Sequence, residues 1–148
     1  MRLVAPLLLA LSLSFGAVAC GGDSDEEFKD QYNQAVQPLR QLGDNVVASL
    51  TGAGQGSDRE LAGRLDRYAD RADRVRRNLS QLEPPEGTMD QFDDLLVALK
   101  QSVADLRAVA ASAKKGDPVE AREATEDLVE SGQRLQRAES TFRKAVEN

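Results

Sequence analysis

The sequence predicts an all-α protein, a four-helix up-down-up-down bundle. Three observations carry that prediction. Apolar residues recur in steps of three and four along four successive segments, the spacing that lines one face of a helix. Each segment opens on a residue type that caps helices. The links between segments are short, so consecutive helices should be antiparallel neighbours. No stretch alternates with period two for long and β-branched residues are sparse, so no strands are expected.

In the first segment Ser24 and Glu27 fit a capping box, in which hydroxyl and carboxylate satisfy free N–H groups at a helix start. The stripe is Phe28, Tyr32, Ala35, Leu39, Leu42, Val46 and Leu50. Pro38 lacks the N–H that would bond the carbonyl of Gln34, so a kink is expected there. Gly43, followed by Asp44-Asn45, offers a second weak point. The stripe keeps its phase across both, which favours one bent helix. The alternative is a three-helix bundle with an irregular N-terminal arm.

In the second segment Ser57 and Glu60 form another capping box, ahead of Leu61, Leu65, Tyr68, Ala72, Val75, Leu79 and Leu82. The third follows Pro84-Pro85-Glu86-Gly87, with Thr88 and Gln91 as its capping pair. Its stripe is Met89, Phe92, Leu96, Leu99, Val103, Leu106, Ala110 and Ala113, and Gly116 stands where a left-handed residue ends a helix. In the fourth, Asp117 caps, Pro118 takes the first helical position and Glu120 complements the helix dipole. Its stripe runs through Ala121, Ala124, Leu128, Gly132, Leu135, Ala138, Phe142 and Val146. The links are 51–56, 84–87 and Gly116.

The first twenty residues are of another kind. Arg2 is their one charge, 3–15 is apolar apart from Pro6, Ser12 and Ser14, and the small residues Gly16 to Ala19 lead to Cys20. A basic start, a short apolar run and a small-residue exit make a secretory signal peptide. Spanning a bilayer takes about 18 or more apolar residues, so a permanent transmembrane helix is not expected here. Cys20 is the only cysteine, so no disulfide forms within the chain.

Ala17-Val18-Ala19-Cys20 resembles the lipobox of bacterial lipoproteins, although that family usually carries Leu where this chain has Ala17. The resemblance extends over residues 1–24 and implies a diacylglyceryl group on the sulfur of Cys20, cleavage just before it, and an extracytoplasmic protein anchored to the cell membrane by lipid. Residues 1–19 would then be the signal peptide, 20–23 the lipidated Cys and tether, and 24–148 the bundle domain. The alternative is an ordinary A-x-A cleavage site and a secreted protein with a free thiol.

Loss of Arg2 with the signal takes the net charge from −6 to −7. So acidic a body repels nucleic acid, which is bound through basic surface. It would also be weakly repelled by an anionic lipid surface, leaving lipid as the membrane contact. There is no histidine. That excludes Glu-x-x-His di-iron sites, His-based triads and His-held haem, and leaves zinc without its usual ligands. No cofactor or metal is expected. Asp23, Asp25, Glu26 and Glu27 lack the spacing of a calcium loop, and Asp93 and Asp94 or Glu126 and Glu130 read as solvated carboxylates.

The most patterned polar feature is in the second segment. Arg64, Arg67, Arg71 and Arg74 step three, four, three beside the apolar stripe. Glu120, Glu123, Asp127 and Glu130 repeat that spacing in the fourth. Both lines fit ordinary edge positions that cover core and pair locally. In a square bundle the two helices are diagonal, however, so the lines should not meet within one molecule. The arginine line is therefore a candidate partner surface, for a protein partner or for weak self-association. The chain reads as a membrane-tethered, non-catalytic binding or scaffold module. The alternative is a small-ligand sensor or carrier with a pocket between helices. That would need a cavity with convergent polar groups, and stripes of Leu, Val and Ala offer few, so a small-molecule ligand is not expected.

Overall fold

The computed structural model describes residues 22–52 and 56–147. These form α1 (Gly22–Thr51), α2 (Asp58–Leu79), α3 (Met89–Lys115) and α4 (Pro118–Glu147), with no strand among the described residues. Each helix packs against its neighbours in sequence, antiparallel, as a four-helix bundle. The expected signal peptide, the expected lipidation position Cys20 and the expected cleavage site lie outside the described residues.

α1 is one helix of 30 residues with Pro38 inside it, so the three-helix alternative falls away. Neither Pro38 nor Gly43 interrupts it, because apolar contacts continue on both sides. Phe28, Tyr32, Val36 and Leu42 are buried, and Leu39, Val46 and Leu50 pack against the core. The helix already runs through Ser24, so Ser24 is not its cap. The Glu27 carboxylate instead accepts from Gln31 Nε2 at 2.9 Å, a bond within the helix.

The expected capping box of α2 is present in full. Glu60 N donates to Ser57 Oγ at 3.3 Å, and Ser57 N donates to Glu60 Oε2 at 3.1 Å. The helix ends at Leu79, a turn before the end of its stripe. Pro84 and Pro85 disfavour helical backbone in the residues just before them, and Leu82 and Gln81 close the exit with turn bonds to Leu79 and Asn78. Leu82 still packs on the core.

The expected capping pair of α3 is not formed. Thr88 Oγ1 donates to Pro85 O at 2.8 Å, so its hydroxyl belongs to the preceding turn. Gly87 has φ 83, a left-handed conformation that keeps this turn tight. At the other end Gly116 is left-handed, with φ 69, and its N–H donates to Ser112 O at 3.1 Å. α4 begins as expected, with Asp117 Oδ1 accepting from Val119 N at 2.9 Å and Glu120 N at 3.1 Å.

The core has two parts. Where the N-termini of α1 and α3 meet the C-termini of α2 and α4, four rings gather. Phe142 lies 6.0 Å from Phe28, 5.2 Å from Tyr32 and 5.1 Å from Phe92 between ring centroids. Each such pair adds about 0.5–1.5 kcal/mol beyond its burial. Toward the other end the core is aliphatic and alanine-rich: Leu61, Ala62, Leu65, Ala69 and Ala72 of α2 pack on Val103, Leu106, Val109 and Ala110 of α3.

Several positions depart from the expected stripes, among them Val36, Ala62 and Ala69, which are buried beside the expected lines. Met89 is exposed because it stands at the first position of α3, before the packed turns begin. Gly132 is exposed on the flank of α4. Leu95 and Val109 are buried although they lie beside the chosen line, since α3 is covered on more than one side. Ser131 is fully buried, its hydroxyl donating to Leu128 O at 3.1 Å, so its polarity is satisfied within its own helix.

Candidate functional site

The two flanks of α2 carry opposite charge and meet different surroundings. Asp66, Asp70 and Asp73 face α3. Lys114 Nζ lies 2.5 Å from Asp66 and Arg107 lies 3.3 Å from Asp70 and 4.0 Å from Asp73. Asp73 also accepts from Arg76 at 2.9 Å and from Arg77. The Arg76 bond, then the field of Arg77, holds the Asp73 carboxyl below the usual carboxylate range, against some desolvation.

At about 100° per residue Arg64, Arg67, Arg71 and Arg74 fall on the opposite flank of α2, beyond Tyr68, whose hydroxyl lies 3.5 Å from Ser49 of α1. Arg67, Arg71 and Arg74 are exposed and make no ion pair among the described residues. Arg64 is half-buried beside Glu60, whose carboxyl is lowered mainly by Ser57 and slightly by Arg64. The Arg64 Nε is buried with no hydrogen-bond partner among the described residues. On α4, Glu120 pairs with Lys115 at 2.7 Å and Glu130 with Arg134 at 2.7 Å. Glu123 and Asp127 are exposed and make no ion pair among the described residues.

The second feature is a cleft between α1 and α4, which the stripes did not foretell. Its apolar part is a cavity of about 280 Å³. Leu39, Leu42 and Val46 of α1 face Leu128 and Leu135 of α4, over a floor of Leu99, Val103 and Leu106 from α3. Gly43 and Gly132 border it, and a Cβ at either would meet nothing within 4 Å. Val47 and Val129 stand on its rim, 62% and 54% exposed. The signal for it in the sequence was the pair of glycines on facing helices, one of them inside a stripe.

Past these glycines the cleft turns polar, reaching Arg40, Gln136 and Glu139 beside Tyr32. Tyr32 is 5% exposed, and its hydroxyl has no hydrogen-bond partner among the described residues. Burial, helped by Glu139 and opposed by Arg143 and Arg40, pushes the phenol up to about 12. It therefore stays a neutral O–H donor throughout the physiological range.

Among the described residues no group of three or more acidic or cysteine side chains is gathered as a metal site, and no helix is long and apolar enough to cross a membrane. Comparison with protein-family models, with curated proteins and with solved structures finds no match for this chain.

Proposed function

We propose that the protein is a membrane-tethered, non-catalytic binding module outside the cytoplasm, held through lipid on Cys20 and engaging an acidic helix through Arg64, Arg67, Arg71 and Arg74. The anchor rests on Ala17-Val18-Ala19-Cys20 and the apolar run before it. The binding role rests on one observation: Asp66, Asp70 and Asp73 of α2 are engaged by α3, while Arg67, Arg71 and Arg74 of the same helix are left unpaired among the described residues.

The acidic line of α4 in a second copy offers matching spacing, with Glu123 and Asp127 at its centre. Such pairing would tend to be two-fold, because each copy carries one line of each sign. Exposed ion pairs contribute only about 0–1 kcal/mol each, so the contact should be weak and salt-sensitive, and tethering would assist it by raising local concentration.

The anchor is tested by membrane fractionation and fatty-acid labelling. Wild type should partition into detergent and take the label, and Cys20→Ser should lose both; a Cys20→Ser protein equally membrane-bound removes the anchor. The surface is tested by sedimentation at low and high salt beside the variant with Arg67→Glu and Arg71→Glu. A salt-sensitive dimer lost in the variant supports self-association. A wild type monomeric at high concentration in low salt leaves only a foreign partner, and a charge-reversed variant that still captures the same envelope proteins removes the surface altogether. The second reading, a small-ligand carrier, is favoured by the cleft between α1 and α4.

A further inference from the structure

We propose that the cleft between α1 and α4 binds a long-chain fatty carboxylate, with its hydrocarbon chain in the apolar cavity and its carboxylate at Arg40 and Tyr32. The site lies away from the arginine line of α2 and stands independently of it.

The shape selects the chain. The apolar part, about 280 Å³, is narrow beside a helix, which is roughly 10–12 Å across. It suits a flexible polymethylene chain lying along the seam. Among the described side chains lining the cavity only Ser102 is polar, and its hydroxyl donates to Ala98 O at 3.2 Å. Nothing inside can reward a polar ligand, so what enters must be apolar along its length. The floor is made by side chains of α3, which reach across the bundle, so the occupant is buried on three sides rather than resting on a flat patch.

The open end selects the head group. Tyr32 Oη is a buried donor with no partner among the described residues, and such an orphan carries a desolvation cost until something satisfies it. Arg40 borders the same stretch of cleft and makes no ion pair among the described residues. A hydroxyl and a guanidinium together form a donor pair for a carboxylate. Arg143 acts on the same hydroxyl but is drawn toward Glu147, 3.9 Å away. Glu139 lies at the same mouth and opposes an anion there, so it sets a ceiling on affinity rather than contributing to it.

Width at the middle comes from the glycines. Any side chain at Gly132 would project into open space, since a Cβ there meets nothing within 4 Å. Leucine at that position should therefore occupy the cleft without disturbing the fold, and Gly43→Leu serves as an independent second block.

The test uses the full chain with Cys20→Ser, purified without detergent so that no lipid of its own competes. It is titrated with dansylated undecanoate, then with palmitate and with hexadecanol as competitors. The expected result is saturable one-to-one binding displaced by palmitate, and lost in Gly132→Leu and Gly43→Leu while their helical circular dichroism is unchanged. Arg40→Gln should weaken palmitate by about tenfold or more and leave hexadecanol unmoved, as removal of a charge-assisted contact requires. Tyr32→Phe should weaken palmitate less, and Glu139→Gln should strengthen it. Absence of saturable binding, or full binding by both leucine variants, overturns the site. Equal affinity for palmitate and hexadecanol overturns the head-group assignment. A dimer that either leucine variant dissociates, with no fatty-acid binding, would give the cleft to a second copy instead.

Discussion

The seams α2–α3 and α1–α4 are built from similar apolar stripes and end up differently. Between α2 and α3 the stripe is closed. Leu65, Ala69 and Ala110 are fully buried there, small alanines let the backbones approach, and the ion pairs Lys114–Asp66 and Arg107–Asp70 bracket the edge. Between α1 and α4 the stripes face each other across a cavity. α4 buries only Ser131 and Phe142 among its described residues, and the flanking positions are glycines and exposed valines rather than paired charges. An apolar stripe fixes which face of a helix turns inward. How closely two helices then approach depends on the residues beside the stripe.

The sharpest break of that comparison is a matched pair of truncations. Leu65→Ala removes a fully buried side chain from the closed seam and should cost about 2–5 kcal/mol in denaturant unfolding. Leu128→Ala removes a half-buried side chain that already borders a cavity, so much of its lost contact is absent beforehand. It should cost less than half as much. Equal costs would mean that the two seams are equally packed.

Those truncations also measure what was legible in the sequence. Four helices, their antiparallel order, the Ser57–Glu60 box, the Asp117 cap and the Gly116 terminus all followed from spacing and end chemistry. The failures at Ser24 and Thr88 have a common cause. A capping residue also serves turns, and it can be taken inside a helix that starts earlier, so its role depends on where the preceding backbone goes. Thr88 spends its hydroxyl on the Pro85 turn. The arginine line lies on one flank of α2 as its spacing required, but its lack of ion partners among the described residues depends on α3 selecting Asp66, Asp70 and Asp73. The cleft was least legible, because Gly132 inside a stripe reads equally well as a close-packed contact or as a gap.

A second effect separates the aromatic end from the rest. The Tyr32 phenol is pushed up to about 12 by burial, so its neutral form is favoured in the folded state. Below pH 10 the folded and unfolded chains both keep the proton and nothing changes. Between 10 and 12 the unfolded chain releases it and the folded chain does not, so stability should fall as pH rises through that window. Tyr32→Phe should flatten that part of the curve and raise stability at neutral pH by up to about 1–3 kcal/mol, since it removes a buried hydroxyl that has no partner among the described residues. An unchanged alkaline slope in Tyr32→Phe would place the titrating group elsewhere.

The open seam should also tolerate what the closed one does not. Gly132→Ala and Gly43→Ala each replace a helical glycine at a site where the new methyl meets nothing, so the backbone entropy term acts alone. Each should raise stability by about 0.5–1 kcal/mol in thermal or denaturant melts. Ala69→Leu, on the closed seam at full burial, should destabilise by about 1–3 kcal/mol through overpacking. Destabilisation by both glycine replacements would show that the helices approach more closely than the cleft allows.

The smallest effect concerns the charges that bracket the closed seam. Asp73 accepts from Arg76 and Arg77 and lies 4.0 Å from Arg107, which joins α2 to α3. Its carboxyl is held below the usual range, first by the Arg76 bond and then by the Arg77 field. Its contribution is therefore present above the unfolded value of about 3.9 and is lost as pH falls through the folded value. Partly exposed pairs of this kind contribute roughly 0.5–1 kcal/mol in total, and salt weakens them. Asp73→Asn should lower stability by that amount at neutral pH and low salt. The gap to wild type should close on acidification, because protonated aspartic acid and asparagine are both neutral there. The measurement is a set of urea midpoints for the two proteins from neutral to acid pH. A gap that persists undiminished in acid would show that Asn disturbs packing rather than charge, and the bracket would then be incidental to how α2 and α3 close.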